Sequence, residues 1–567
     1  MFNSDSMSLG HNLDLDNSGS IQYTSSYESV IQREVQAFRL RYLCSQSATR
    51  FGQYICRRTL HGSAVYITLF LMFLERLAYY AVVGNITDPF LKSLEISELY
   101  QSLIQTALFE MVANVMFPIF GFLGDRYIGR FHTVHISMWI LLAGYVSLAF
   151  TSSFERNFDN GHHINTILLP ICFIIISVGS AGFQANMIPL GADQIMGRPS
   201  DEISAYFYWY YWIRNVGALI FVLSFTCTFP YNTTVFGCVS AICISVGLII
   251  LQFTRNKLYI DNRQHNPYKL VFQVISFVVR VKRPQLRSAF SYTGVEAPSR
   301  MDLAKTIHGG KFINCEVEDV KTFVRLLVFL LSLVGVLTVY TGVLNAITTQ
   351  IKYMTVPYIN TLIGSCTSVW VVNILFIVLA IPIINYCLYP FLREYTPNMQ
   401  KRIGIGHFLV FLSPFFLLLL SSVGFSRVGS QSEVATHSCM FVNTSLLPIH
   451  LDISSYYILI PHVLASLAEI FIVISSLEFF YAQSPHTMRG MMIGLFFFTW
   501  GIATVIANLI IVVFSNIHIV ALTCDIWYYI LLVILSVLFF VLFILVSVWY
   551  KNRRRGDIEP DLYYREQ

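Results

Sequence analysis

Twelve apolar runs, each about long enough to cross a bilayer, constrain this chain more than any other feature. They lie near 64–90, 102–123, 132–152, 166–189, 203–226, 235–253, 322–345, 366–389, 404–424, 455–480, 489–514 and 526–549. A membrane-crossing helix needs about 20 residues of this kind. Composition agrees: of 567 residues only 12% are charged and 55% are hydrophobic, where soluble domains carry about 25% charge. The reading is an all-α polytopic membrane protein with twelve transmembrane helices, its main partner the lipid bilayer. The net charge of +5 resides in loops between the runs, so no nucleic-acid partner is expected. The eleven cysteines form no CxxC or Cys/His cluster, and no metal, redox centre or other cofactor is expected. No nucleophile–base pair or phosphate-binding loop stands out, which argues against an enzyme.

The loops alternate in charge, and positive loops face the cytosol. Asp125 to Arg130, Arg393 to Arg402 and Lys551 to Arg555 fall inside on this reading, which makes both termini cytosolic. Residues 1–60 read as a polar cytosolic tail, without the features of a cleavable signal. Tyr27-Glu28-Ser29-Val30 within it fits a tyrosine-based sorting pattern. The stretch from Arg255 to Lys321 carries twelve Lys/Arg against six Asp/Glu. It is a cytosolic linker whose amphipathic part, Val271–Arg283, suits the inner leaflet. Six runs precede it and six follow, giving a division into 1–60, 61–254 (first six-helix bundle), 255–321 (linker), 322–550 (second bundle) and 551–567, with a cavity between the bundles. Two sequons, Asn232-Thr233-Thr234 and Asn443-Thr444-Ser445, fall in loops assigned to the outside. Cys439 and Cys524 fall outside as well, and a disulfide between them stays open.

The first run contains charge. In Leu71-Met72-Phe73-Leu74-Glu75-Arg76-Leu77-Ala78-Tyr79-Tyr80, each charge placed at mid-bilayer costs on the order of 2.5–3.5 kcal/mol on insertion scales. Adjacent helical residues project about 100° apart. Glu75 therefore shares a face with Tyr79, and Arg76 shares another with Tyr80. The helix belongs beside a water-filled cavity, or the pair locks two helices together. Two further charges lie at membrane depth: Glu110 in the second run and Arg214 in the fifth. Each is a candidate functional group. The alternatives are snorkelling for Glu110 and packing against Glu75 or Glu469 for Arg214.

Gly121-Phe122-Leu123-Gly124-Asp125-Arg126-Tyr127-Ile128-Gly129-Arg130 resembles the G-x-x-x-D-R-x-G-R motif of the major facilitator superfamily, a tight turn whose Asp caps or pairs with neighbouring helix ends. Glu75-Arg76 with Tyr79-Tyr80, Gly191-Ala192-Asp193-Gln194, Trp209-Tyr210-Tyr211-Trp212 with Asn215-Val216-Gly217-Ala218, and Glu469 with Leu477-Glu478-Phe479-Phe480-Tyr481 and Ser484-Pro485 together resemble the proton-dependent oligopeptide transporters. Pro298-Ser299-Arg300 to Gly309-Gly310, Glu318-Asp319-Val320-Lys321 and Gly494-Leu495-Phe496-Phe497-Phe498 are closest to the animal peptide/histidine branch. The resemblance implies a major facilitator fold and proton symport of di- or tripeptides, histidine or related small amines by alternating access. It implies an endolysosomal or plasma membrane and no enzymatic activity. Asp125, Arg126, Gly129, Arg130, Asp193 and Glu478 take gating or structural places.

The resemblance also assigns site residues. Asn215, Asn373 and Glu469 match the positions that meet a peptide's amino end, and Arg76 matches one that meets its carboxylate. Tyr79, Tyr80, Gln184 and Arg214 complete the candidate substrate set, and Glu75, Glu110 and Glu469 are the candidate proton carriers. The departures cut the other way. Met72 stands where the family has a Glu, Gln184 where it has a Lys, and Gly342 and Leu344 where it has polar groups in the seventh helix. They support the alternative of a non-transporting sensor or scaffold, with protein partners on the tails or linker, or an uncoupled facilitator. Glu110 and Arg214 could restore the lost acid and base as a coupled pair.

The topology has a direct test. Expression in a eukaryotic secretory membrane should glycosylate Asn232 and Asn443, giving a gel shift on glycosidase treatment. A shift that survives Asn232→Gln plus Asn443→Gln would contradict the assignment.

Overall fold

A segment in hydrocarbon has no water to satisfy its backbone, and apolar runs of this length satisfy it as helices. The computed structural model describes residues 60–83, 110–157, 161–221, 233–260, 267–281, 299–355, 369–389, 398–428, 451–516 and 524–550, apart from 61, 199, 352 and 353. Its helices are α1 (Ser63–Val83), α2 (Val112–Arg126), α3 (Arg130–Asn157), α4 (Gly161–Asp193), α5 (Ser200–Phe221), α6 (Thr233–Phe253), α7 (Pro267–Arg280), α8 (Asn314–Gln350), α9 (Val369–Ile383), α10 (Met399–Val428), α11, α12 (Arg489–Asn516) and α13 (Cys524–Trp549). Helix α11 is composite: Leu459–Glu469, a π turn at Ile470–Ile474, then Ser475–Gln483. A second π turn, Ile384–Leu388, extends α9. Two short strands, Met354–Thr355 and Leu451–Ser454, pair in parallel. The tails, Asn232 of the first sequon, the whole second sequon and Cys439 lie outside the described residues, as does the side chain of Cys524.

Each expected span holds one helix, and α7 lies in the linker. Among the described residues nine helices are long and apolar enough to cross a membrane. The other three are α2 and α9, each described over 15 residues, and α5, whose Asp201, Glu202 and Arg214 dilute its apolar content. Helices also run past the apolar stretches, α4 from Gly161 and α8 from Asn314. Their polar first turns need no hydrocarbon, and the helical ladder continues through them. Burial orders the helices: α11 has 72% of its apolar window buried, whereas the more apolar α13 has 17%. An apolar helix with so little protein around it turns its side chains to lipid, and α11 is the central one.

Within the first bundle α3 packs on α4 and α6, and α1 packs on α5 and α6; within the second, α10 packs on α11 and α13, and α8 on α12 and α13. The bundles meet where α2 lies along α12 and α5 crosses α9. Glycines set the first of these seams. A Cβ on Gly121 would stand 2.5 Å from the Gly490 carbonyl oxygen, one on Gly494 2.6 Å from that of Phe117, and one on Gly501 2.4 Å from Asn114 Cβ. Small residues at such spacing let two backbones approach, and Phe117 stacks on Phe497 across the gap at 4.6 Å.

The linker folds onto the start of α8. Val274 of α7 is buried with Ala304, Val317 and Val320, while Phe272 and Val279 are 75% and 78% exposed on the opposite face. Asp302, Lys305, Glu318 and Lys321 form a four-membered ion cluster beneath. Partial burial pushes the Asp302 carboxyl up, but hydrogen bonds from Lys305, Lys321 and Ser299 outweigh it and hold it below the usual carboxylate range. Tyr268, in the first turn of α7, reaches Asp125 at 3.4 Å. The end of the bundles beside this linker is called the linker side below.

Gly494→Ala would force a methyl into backbone that cannot yield, an overpacking cost of about 1–3 kcal/mol. Spin labels at the exposed Tyr127 and Lys401, on the linker-side ends of opposite bundles, should then report longer distances than in the unmodified protein. An unchanged distance distribution would mean that the seam does not control closure.

Candidate functional site

Three layers of polar residues are buried between the helices. The first is carried by α1 and α4. Glu75 and Arg76 are 0% and 1% exposed. Arg76 donates from Nε and Nη2 to the two oxygens of Glu75, each at 2.5 Å, and Nη2 also donates to Ser180 Oγ at 2.7 Å. Ser180 in turn donates to Glu75 at 2.9 Å. The helical angle between the two residues had placed them on separate polar faces. It holds for their Cβ directions, but the long Arg side chain turns back and closes a bidentate pair. Gln184 lies against the same guanidinium; with its amide turned so that the oxygen faces the arginine, it accepts from Nη2 at 2.6 Å. A group that only donates needs an acceptor there, so the amide suits the position as a second cation would not. Arg76 also lies over the Tyr79 ring, 4.4 Å from its centroid, and 5.9 Å from that of Tyr80. Gly217 permits this packing: a Cβ there would stand 3.2 Å from both Arg76 Cβ and the Phe73 carbonyl oxygen.

The second layer centres on Glu469, the last residue before the π turn of α11. Its carboxylate accepts from Tyr211 of α5, from Tyr340 of α8 and, at 3.0 Å, from Asn373 Nδ2 of α9. Ser466 donates to Asn373 Oδ1 at 2.6 Å, which orients that amide. Tyr211 belongs to the first bundle and the other donors to the second, so this carboxylate ties the bundles together. Asn373 and Glu469, which the resemblance assigns to a substrate's amino end, are thus hydrogen-bonded to each other. Asn215 does not bond to them; its amide donates to the Tyr211 carbonyl on its own helix at 2.8 Å. Sequence reasoning passed over Tyr211, Tyr340, Ser180 and Ser466 as site residues. Tyr340 lies within about one turn of Gly342 and Leu344, and a phenol in a spanning helix needs a partner for its hydroxyl.

Arg214 and Glu110 complete this level separately. Arg214 lies one turn beyond Tyr210 and Tyr211, with its Cζ 5.8 Å from the Tyr211 ring centroid and 5.9 Å from that of Phe497 in α12. It is within electrostatic reach of Tyr80 and Glu469, yet its buried Nη1 has no hydrogen-bond partner. Glu110 stands in the π turn that precedes α2, within electrostatic reach of Tyr79. No ion pair joins Glu110 to Arg214, so the coupled replacement proposed from the sequence is absent from this arrangement. The two groups sit on different helices and turn to different tyrosines.

The third layer closes the linker side. Arg130 donates to Asp125 at 2.9 and 2.7 Å and also to Asp193. Asp125 accepts the backbone N–H of Met491 at 2.9 Å, so it caps the N-terminus of α12 in the other bundle. Asp193 accepts from Tyr481 at 2.9 Å and from Arg489 at 3.4 Å, again across the bundles. Glu478 accepts from Arg402 at 3.0 Å and from Ser204 of α5 at 3.2 Å. Gly129, at φ +84°, makes the turn that carries Arg130 back to Asp125, a conformation costly for other residues. Arg126 points elsewhere and lies 4.2 Å from the Tyr127 ring centroid.

Residues 131–528 match the family model described as the POT family. Solute carrier family 15 member 3 of Mus musculus is 23% identical over 500 residues, covering 80% of this chain and 84% of that protein. Protein NRT1/PTR FAMILY 6.2 of Arabidopsis thaliana is 22% identical over 545 residues, covering 85% and 90%. Among solved structures, an auto-inhibited POT family peptide transporter superposes with a TM-score of 0.61 at 17% identity, covering 87% of this chain and 98% of that one. A POT family transporter in complex with 5-aminolevulinic acid gives 0.56 at 15% identity, covering 86% and 97%. These structures share the two-bundle major facilitator fold found here. The family model spans well over half of the sequence, and the chain belongs to the POT family, the proton-dependent oligopeptide transporters.

Proposed function

We propose that the chain moves small molecules with a free amine, such as di- or tripeptides, histidine or related amines, across its membrane by alternating access and with a proton. The observation that carries this is the setting of Glu469, a carboxylate between the bundles that accepts three hydrogen bonds from neutral donors and none from a cation. A substrate ammonium is the natural partner for such a group. When it binds, Tyr211 must give up its acceptor, and the tie between α5 and α11 loosens as the substrate arrives. Binding energy is thereby directed into a bundle movement. The complex with 5-aminolevulinic acid, an amino acid, fits a site for amines.

Glu75 is the leading proton carrier in this reading. Protonating it would remove the counter-charge of Arg76 and leave only Ser180 and Gln184 as acceptors, so the layer must rearrange. The basic linker marks the cytosolic side, which makes the third layer a cytosolic gate and both termini cytosolic, in an endolysosomal or plasma membrane. Family membership favours transport over the sensor or scaffold alternative, and the departures behind that alternative have structural uses. Met72 is a fully buried core residue, Gln184 accepts from Arg76, and Gly342 admits Leu532 and Tyr528, which a Cβ would meet at 2.9 and 3.1 Å.

In proteoliposomes, uptake of histidine or a dipeptide should concentrate the solute only when a proton gradient is imposed. Glu469→Gln should weaken a free-amine substrate about tenfold or more, the range of a charge-assisted hydrogen bond, and affect the N-acetylated counterpart much less. Equal loss for both would overturn the assignment of Glu469 to the amine.

A further inference from the structure

We infer that Trp212 is a positioning residue for the movement of the bundles: its indole N–H gives α9 the donor that Pro382 lacks, so the break in α9 is satisfied only while the linker side is closed. In a regular helix the N–H of residue 382 would donate to the carbonyl of residue 378. Pro382, inside α9, has no N–H, and its ring crowds that carbonyl aside. The Val378 carbonyl oxygen accepts instead from Trp212 Nε1 of α5, at 2.9 Å and across the bundles. A backbone acceptor left bare among membrane helices is costly, so this bond fills a need that Pro382 creates. The π turn at Ile384–Leu388 follows closely, and α5 holds that stretch as well. Trp209 packs against Tyr386 with ring centroids 5.9 Å apart, and Tyr208 against Tyr389 at 6.3 Å.

The inference deepens the transport reading, on which it rests, by naming what carries a change at Glu469 into the helices. Trp212 follows Tyr211 directly, and adjacent helical residues point about 100° apart. Tyr211 donates to Glu469 of α11, while Trp212 donates to α9. Helices α9 and α11 are themselves joined by Asn373 and Glu469, and Asn373 lies on the stretch of α9 before the break. The contacts therefore close a ring from α5 through α11 and α9 back to α5. A ligand that takes Glu469 from Tyr211 frees α5 to turn, and a turn of α5 withdraws Trp212 from Val378. The carbonyl must then find another donor, or the break must change its angle. Packing does not account for this arrangement, because a phenyl ring at position 212 would fill space and leave the carbonyl bare.

The experiment measures spin-label distances between positions 127 and 401 in the purified full-length protein, with no solute added. It compares the unmodified chain, Trp212→Phe, Pro382→Ala and the double variant. Trp212→Phe keeps a ring and removes the donor, and it should lower the ratio of linker-side-closed to linker-side-open protein about tenfold, the range for a backbone acceptor left unpaired. Pro382→Ala lets residue 382 donate to Val378, and in that background Trp212→Phe should change the ratio by less than about twofold. An unchanged ratio in Trp212→Phe alone, or an equal shift in both backgrounds, overturns the proposal, because lost packing acts alike in both. Should a variant fail to fold, benzothienylalanine at position 212 replaces the comparison, since it keeps the shape of Trp and lacks only the N–H. A shift toward the open distance then supports the proposal, and a distribution like that of the unmodified protein overturns it. The distances need no transported solute, so a failure to take up histidine counts against the transport reading alone.

Discussion

A charge between membrane-spanning helices has no water to turn to, and this constraint organises the interior of the protein. Removing one partner of a buried ion pair costs about 3–5 kcal/mol, because the remaining charge is left without compensation. The carboxylates and guanidiniums are accordingly grouped into layers. Glu75 and Arg76 neutralise each other beside α4, and Arg130 serves both Asp125 and Asp193. Glu478 holds Arg402. Several of these groups also contact the opposite bundle, so bundle movement and charge satisfaction are one problem. The protein cannot part its linker side without finding new partners for Asp125, Asp193 and Glu478.

Glu469 differs from the others in kind. Its donors are phenols and an amide, which satisfy the oxygens without cancelling the charge. The layer above the gate therefore keeps one uncompensated negative group and, at Arg214, one positive group with an idle donor. Hydrogen bonds from neutral donors to a carboxylate are easier to exchange than ion pairs, because the partner that leaves is a phenol or an amide and not a second bare charge. That difference separates the part of the interior that can respond to a small molecule from the part that holds the bundles in register.

Much of this was legible in the sequence, and the limits are physical. Hydropathy fixes the number and rough position of the helices, because a bilayer admits few ways to satisfy a backbone. The turn that joins Asp125, Gly129 and Arg130 was readable because a local motif dictates local geometry. Pairing between distant residues was harder. The wheel angle separated Glu75 from Arg76 because it describes Cβ directions and ignores a side chain long enough to fold back. Glu110 and Arg214 were joined by counting charges, a method with no knowledge of which helices are neighbours. Asn215 bonds to its own helix, a local alternative that any polar residue in a helix has. The hydroxyl of Tyr340 reaches Glu469 from another helix, a pairing that hydropathy does not encode.

The π turn of α11 has a geometric consequence for both central acids. Glu469 and Glu478 are nine residues apart, which in a regular helix is about two and a half revolutions and sets them on opposite faces. Here both reach α5, Glu469 at Tyr211 and Glu478 at Ser204. Those two α5 residues are seven apart and share one face of their helix. The wider turn at Ile470–Ile474 lies between the two acids and unwinds part of the half-revolution that would have separated them. It is a phase correction: one helix presents two carboxylates to the same neighbour, and any change in that local winding would alter the aim of one acid relative to the other.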